Sequence, residues 1–212
     1  MIRRTFIAML ALTVALPLGA QSAPKGWKQR VDRSTNAQDP DAAGAIKFVE
    51  MDGGFHATNP QAAVYWNPAN TATGTYSVHG TFTLMKPSGH TNYYGLVIAG
   101  SELEGAKQQY LYFLIAQDGT WLIKHRANDT DIHSIAPKTP SDVIKKPDAS
   151  GKSTNTLEVR TNATQTDFVI NGTVVQTFPK SGPMNVVEGI AGIRINHQLE
   201  VHIDGFALTK GK

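Results

Sequence analysis

Residues 110–126 read YLYFLIAQDGTWLIKHR, from Tyr110 to Arg126. Leu111, Phe113 and Ile115 alternate with Tyr110, Tyr112 and Leu114. After Gln117-Asp118-Gly119-Thr120, the residues Trp121, Ile123 and His125 alternate with Leu122, Lys124 and Arg126. A period of two sends neighbouring side chains to opposite faces of a strand, whereas a helix would repeat its apolar positions every three to four residues. The Asp-Gly pair supplies the positive φ that a tight hairpin turn needs. The stretch is therefore an antiparallel hairpin with an aliphatic face, and Tyr110, Tyr112, Lys124 and Arg126 share the other.

The same pattern extends in both directions. Val78 to Leu84 places Val78, Phe82 and Leu84 on one face and His79, Thr81 and Thr83 on the other. Tyr93 to Ala99, Thr156 to Thr161, Asp167 to Ile170, Val174 to Phe178, Ile190 to Ile195 and Leu199 to Leu208 continue the series, with a second tight turn at Ile170-Asn171-Gly172-Thr173. No stretch of a dozen residues has helical period and helix caps. About ten or more strands exceed what one twisted open sheet carries comfortably, so two sheets must pack face to face. The expectation is an all-β fold, an antiparallel jelly-roll sandwich of two packed sheets over residues 45–210. Residues 24–44 are expected to be a linker or an arm lying on the sandwich. Ala136 to Ser153, with Pro137, Pro140 and Pro147, reads as a long connection without strand character, and such connections often carry function.

The chain has 212 residues, none of them cysteine, and 41% are apolar. This suits one domain with a real core. It excludes disulfide scaffolds, cysteine-ligated metals and thiol catalysis. Met1 to Ala23 carries Arg3 and Arg4, then an apolar run from Phe6 to Leu18, then small residues, the order of a secretory signal peptide. At roughly 1.5 Å per residue the run covers about 20 Å, short of the roughly 30 Å hydrocarbon core, so no membrane anchor is expected once it is cleaved. Arg3-Arg4-Thr5-Phe6-Ile7 partly resembles a twin-arginine signal, and general secretion fits it better. The whole chain holds 20 Lys and Arg against 17 Asp and Glu; without Arg3 and Arg4 the balance is 18 against 17. A periplasmic or secreted, nearly neutral protein favours an uncharged partner such as sugar over nucleic acid.

Several phrases then fall into one order: Gly95-Leu96-Val97-Ile98; Tyr110 to Ile115; Asp118 to Arg126; Asn155-Thr156-Leu157-Glu158-Val159; Asp167-Phe168-Val169-Ile170-Asn171-Gly172; Gly189-Ile190-Ala191-Gly192-Ile193; and Val201-His202-Ile203-Asp204-Gly205-Phe206. In this order they resemble the concanavalin A-like lectin/glucanase superfamily, and within it bacterial laminin-G-like and 3-keto-disaccharide hydrolase-type domains, over roughly Thr75 to Leu208. The Gly-x-x-Gly of Gly189 and Gly192 permits close backbone approach in a crowded sandwich. The resemblance implies a fold shared by lectins and hydrolases, and so a saccharide ligand or substrate.

Tyr110 and Tyr112 are candidates for an aromatic strip on which sugar rings stack, unless both sheet faces are covered and the tyrosines are core. Lys124 and Arg126, across the Asp-Gly turn, could grip hydroxyls or carboxylates. Glu102 and Glu104 stand at i and i+2, which on one strand would approach the about 5–5.5 Å carboxyl separation of a retaining glycosidase. The superfamily glucanases' longer Glu-x-Asp-x-x-Glu pattern is absent, and Gly100, Gly105 and Ala106 suggest a loop. His133 is a further acid–base candidate. None of the seven histidines is spaced as His-x-x-x-His or His-x-His, so no metal site is expected from them. The resemblance allows a structural calcium on Asp118, Asp129, Asp131 or Asp204, with Asp118 the candidate; no other cofactor is expected. Nucleophile elbows and phosphate-binding loops lack their sequence context. The reading is an exported module that binds a carbohydrate or cell-envelope polymer without catalysis. Its alternatives are a glycoside hydrolase acting on a glucan or modified disaccharide, and a periplasmic structural or protein-interaction domain.

Overall fold

A computed structural model describes residues 23–34 and 36–211; the expected signal peptide lies almost entirely outside the described residues. Fourteen strands form: β1 (Lys28–Asp32), β2 (Lys47–Met51), β3 (Gly54–Asn59), β4 (Ala62–Ala72), β5 (Tyr76–Lys86), β6 (Tyr93–Ser101) and β7 (Gln109–Ala116); then β8 (Thr120–Arg126), β9 (Ile132–Pro140), β10 (Ser153–Thr161), β11 (Gln165–Ile170), β12 (Thr173–Pro179), β13 (Gly189–Ile195) and β14 (Leu199–Lys210). One short 3-10 turn, Gly182–Met184, interrupts them. The strands form two seven-stranded antiparallel sheets, in the orders β1-β4-β13-β6-β7-β8-β9 and β12-β11-β10-β5-β14-β3-β2. The all-β jelly-roll expectation holds.

Alternation decides what lies between the sheets. Leu111, Phe113 and Ile115 of β7, Leu96 and Ile98 of β6, and Ile193 and Ile195 of β13 meet Val78, Phe82 and Leu84 of β5 and Leu157 and Val159 of β10 in one buried cluster. Each such side chain removed from water contributes about 1.5–3 kcal/mol. Gly192 is required by crowding, because a Cβ there would lie 2.3 Å from the Tyr65 carbonyl oxygen on the neighbouring strand. The two turns differ. Asn171 and Gly172 both have positive φ, the two-residue type I′ turn. The first hairpin instead has a three-residue loop, Gln117 to Gly119, closed by the Gly119 N–H on the Ala116 carbonyl, and only Gly119 carries the positive φ.

Two segments differ from expectation. The arm at 24–44 contributes β1, which pairs with β4 from Lys28 opposite Trp66 to Asp32 opposite Ala62. Trp27 anchors it, packing within 5.4 Å of the Phe48, Phe55 and Phe206 rings. The proline-rich connection begins later than its composition suggests, because Pro137 and Pro140 lie within β9, an edge strand where a missing N–H is tolerated. Its remainder is pinned down: Ile144 is buried in the core, and the Asn155 side chain accepts from the Lys145 N–H and donates to the Lys145 carbonyl.

Candidate functional site

The seven-stranded sheet that begins with β1 has a second buried layer on the face away from the core. Val64, Trp66, Val97, Leu103, Tyr110, Tyr112, Leu114 and Leu122 form it. The expected open aromatic strip is therefore closed: Tyr110 is 0% and Tyr112 5% exposed. Curvature is the reason. Asp32 on β1 and Arg126 on β8 are five strand spacings apart, about 24 Å along a flat sheet at roughly 4.8 Å per strand. Yet their carboxylate and guanidinium lie 3.1 Å apart. The sheet is rolled toward its outer face, and charged side chains close over the rings.

Asp32 is the hub of that closure. It forms ion pairs with Arg126 and with Arg194 of β13, and Arg30 stands 3.6 Å away. The Tyr110 hydroxyl donates to Asp32 at 3.3 Å and accepts from Arg194 at 2.7 Å. The Arg194 guanidinium lies 5.3 Å from the Tyr112 ring centroid and that of Arg126 5.9 Å from the Tyr110 centroid, within cation–π range. Arg30 reaches Asp129 in the β8–β9 turn at 2.7 Å, and Lys28 pairs with Glu104 in the β6–β7 turn. Burial works against the Asp32 charge, but Arg194 and then Arg126 outweigh it and hold the carboxyl below its ordinary value. Burial raises both tyrosines, so the phenols stay neutral hydrogen-bonding groups.

Beside this hub lies an open cleft of about 680 Å³. Arg30, Asp32, Arg126 and Arg194 line it together with Asn92, Asn196, His197, Asp39 and Asp41. Four arginines and four aspartates line it in all, so its charges balance. Arg30 Nη1, Arg126 Nε, Arg194 Nε and Asn196 Oδ1 are buried behind this lining without a hydrogen-bond partner among the described residues.

Of the residues singled out from the sequence, Arg126 and Asp129 line this cleft, with Tyr110 bound to its charged hub. Lys124 stands opposite Tyr112 on the same face and does not reach the cleft. Glu102 and Glu104 are exposed in the β6–β7 turn, Glu102 at positive φ, and no strand aligns them. His133 is exposed on β9, its ring 5.8 Å from that of His125. Asp118 accepts from Lys138 Nζ at 2.6 Å and from the Thr120 hydroxyl at 2.6 Å, so its oxygens serve the turn and a lysine.

Asp32, Arg194 and the loop residues were missed in the sequence. Arg194 gave a signal, a lone charge within the apolar run Gly189–Ile195. Asp32 gave less, because its short alternating strand sits in a segment otherwise rich in loop formers.

No protein-family model matches the chain, and no curated protein matches it. Solved structures do. The carbohydrate-binding module CBM66 from Bacillus subtilis is 11% identical, with a TM-score of 0.58 over 87% of this chain and 95% of that one. A glycoside hydrolase family 16 endo-glucanase from Bacteroides ovatus is 8% identical, with a TM-score of 0.59 over 89% and 97%. The Emp46p carbohydrate recognition domain is 15% identical, with a TM-score of 0.55 over 87% and 88%. Identities this low speak for fold alone, and the fold is the concanavalin A-like jelly roll that the sequence phrases resembled.

Proposed function

We propose that the protein is an exported, non-catalytic module that binds a carbohydrate or cell-envelope polymer in the cleft beside Asp32, Arg126 and Arg194. The observation that carries this reading is the cleft itself: concave, balanced in charge, and lined by guanidinium, carboxylate and amide groups. A polyhydroxylated neutral ligand suits such a lining better than a polyanion, which Asp32, Asp39, Asp41 and Asp129 would repel. The fold likeness to carbohydrate-binding modules supports the ligand class. Binding is favoured over hydrolysis because Glu102 and Glu104 stand outside the cleft. Asp32, the carboxylate of its lining that pairs with Arg126 and Arg194, is held ionised by them and is a poor proton donor near neutrality.

A glycan array followed by calorimetry tests this. Binding of at least one saccharide is expected, weakened tenfold or more by Asn92→Ala together with Asn196→Ala, with unfolding midpoints recorded alongside. Absence of binding to every saccharide and envelope polymer sinks the reading. Saccharide hydrolysis by the wild-type protein would return it to the glycosidase alternative.

A further inference from the structure

Three connections meet beside the cleft. The β1–β2 segment brings Asp39 and Asp41, the β5–β6 loop brings His90 and Asn92, and the β13–β14 loop brings His197. Asp39 Oδ1 lies 2.9 Å from His90 Nε2 and 3.1 Å from His197 Nε2, and the two histidine nitrogens are 3.2 Å apart. We propose that this triangle is a binding site for a divalent first-row transition cation of the zinc type, with His90, His197 and Asp39 as its ligands.

The spacing is what a metal requires. Ligand atoms about 2.0–2.2 Å from one ion are separated by about 3 Å at the right angles of an octahedral site and by about 3.4 Å at tetrahedral angles, so the three edges match one face of an octahedral ion and need only a slight opening for tetrahedral zinc. Two imidazole nitrogens and a carboxylate oxygen suit zinc and its neighbours, whereas calcium takes an all-oxygen set. The orientation of His197 fits the same role. Its ring is buried, and its other nitrogen, Nδ1, lies 3.0 Å from Asp41 Oδ1. A carboxylate accepting from Nδ1–H fixes the tautomer that leaves a lone pair on Nε2, the arrangement found behind metal-ligating histidines. His197 then presents that lone pair to Asp39, itself only an acceptor when ionised, and to His90. His90 Nε2 also has the Asn92 side-chain amide 2.9 Å away. Either a proton on one of the two imidazoles or a cation must relieve the three acceptors, and the three near-equal edges fit a cation equidistant from all.

Three protein ligands leave coordination positions open, and Asp39 and His197 both line the cleft, so those positions face a bound ligand or water. The ion would also fasten the β1–β2 segment to the sandwich end. Local spacing hid the site, because its histidines are 107 residues apart. It stands whether or not the cleft takes a saccharide.

The test uses untagged protein, stripped with chelator and titrated with Zn²⁺ by calorimetry and with Co²⁺ by visible absorption. One equivalent should bind with an affinity in the micromolar range or tighter, and Co²⁺ should give d–d bands of a nitrogen–oxygen site. His197→Ala, or the exposed-site variant His90→Gln if the first fails to fold, should weaken binding at least 100-fold. Asp41→Asn should weaken it about 10–100-fold by freeing the ring. His56→Gln with His202→Gln, a histidine pair elsewhere on the second sheet, should leave it unchanged. No saturable binding, or binding untouched by His90→Gln, overturns the proposal and leaves a proton-bridged histidine cluster.

Discussion

The two faces of the curved sheet follow one alternating pattern and are closed by different physics. On the inner face Leu111, Phe113 and Ile115 meet the opposing sheet, and the lid is apolar. On the outer face Tyr110 and Tyr112 are buried almost as fully, but their lid is the Asp32, Arg126 and Arg194 ion cluster, together with Leu103 from the β6–β7 turn. Alternation alone says that a residue leaves the core, not that it reaches solvent. Sheet curvature supplies the second cover, and because that cover is charged and incomplete it leaves a polar cleft at its border. The inner face sets stability; on the outer face the groups that cover the tyrosines also line the cleft proposed for recognition.

The widest separation between the faces should come from Phe113→Ala. Phe113 is 1% exposed and packs edge-on to Phe168 at 5.2 Å, so the substitution opens a cavity across the sandwich. A loss of about 3–5 kcal/mol in urea unfolding is expected, with saccharide affinity of the folded fraction unchanged. A loss under 1 kcal/mol would mean the inner face is not the principal store of stability.

Asp32→Asn is the next largest and probes the outer lid. Removing this charge leaves Arg126 and Arg194 buried beside one another, at a cost of about 3 kcal/mol. The pH dependence follows from the depressed carboxyl. Because the folded value lies below the ordinary one of 3.8, the Asp32 contribution is fully present above that pH and fades as pH falls through the folded value. The stability gap between wild type and Asp32→Asn should therefore be wide at pH 7 and narrow below about pH 3.8. A gap that stays constant to pH 2.5 would show that the variant acts through packing, not charge. Replacing the cluster whole, Asp32→Leu with Arg126→Leu and Arg194→Met, should return stability to within about 1 kcal/mol of wild type, since apolar groups of similar volume often substitute for a buried ion cluster. Saccharide binding should not return with it. If both return, the cluster has no part in recognition.

The inner face was legible in the sequence and the outer one only half so. Period-two patterning and the two Gly-containing turns read out the strands from Val78 onward except β9, and the sandwich they build, because burial on one face imposes alternation directly. Tyr110, Tyr112 and Arg126 were brought to the correct face by the same rule. Their exposure was misjudged because it depends on sheet curvature, a property of the whole sheet. Asp32 and Arg194 are 162 residues apart and His90 and His197 107, and no local spacing encodes such pairs. The arm was misread because its strand is short and amphipathic at an edge, where half its residues face solvent and carry polar side chains.

The smallest expected effect separates the cleft from the turn beside it. Glu102 and Glu104 are the carboxylates the sequence offers for glycoside hydrolysis, yet both are exposed, and the contact Glu104 makes with Lys28 has side chains 69% and 48% exposed. Exposed pairs of this kind contribute about 0.2–1 kcal/mol and are screened by salt. Glu102→Gln with Glu104→Gln should therefore shift stability by no more than about 0.5 kcal/mol, less still at 0.5 M salt, and leave saccharide affinity within twofold. The comparison with Asp32→Asn is the informative one. Both changes remove carboxylate charge from residues tied to the same outer layer, and only the buried one is shared between two guanidiniums. If the paired glutamine variant instead lowered affinity tenfold, the recognition surface would extend over the β6–β7 turn. The layer of Tyr110 and Tyr112 would then be the floor of a wider groove whose wall is the turn that carries Leu103.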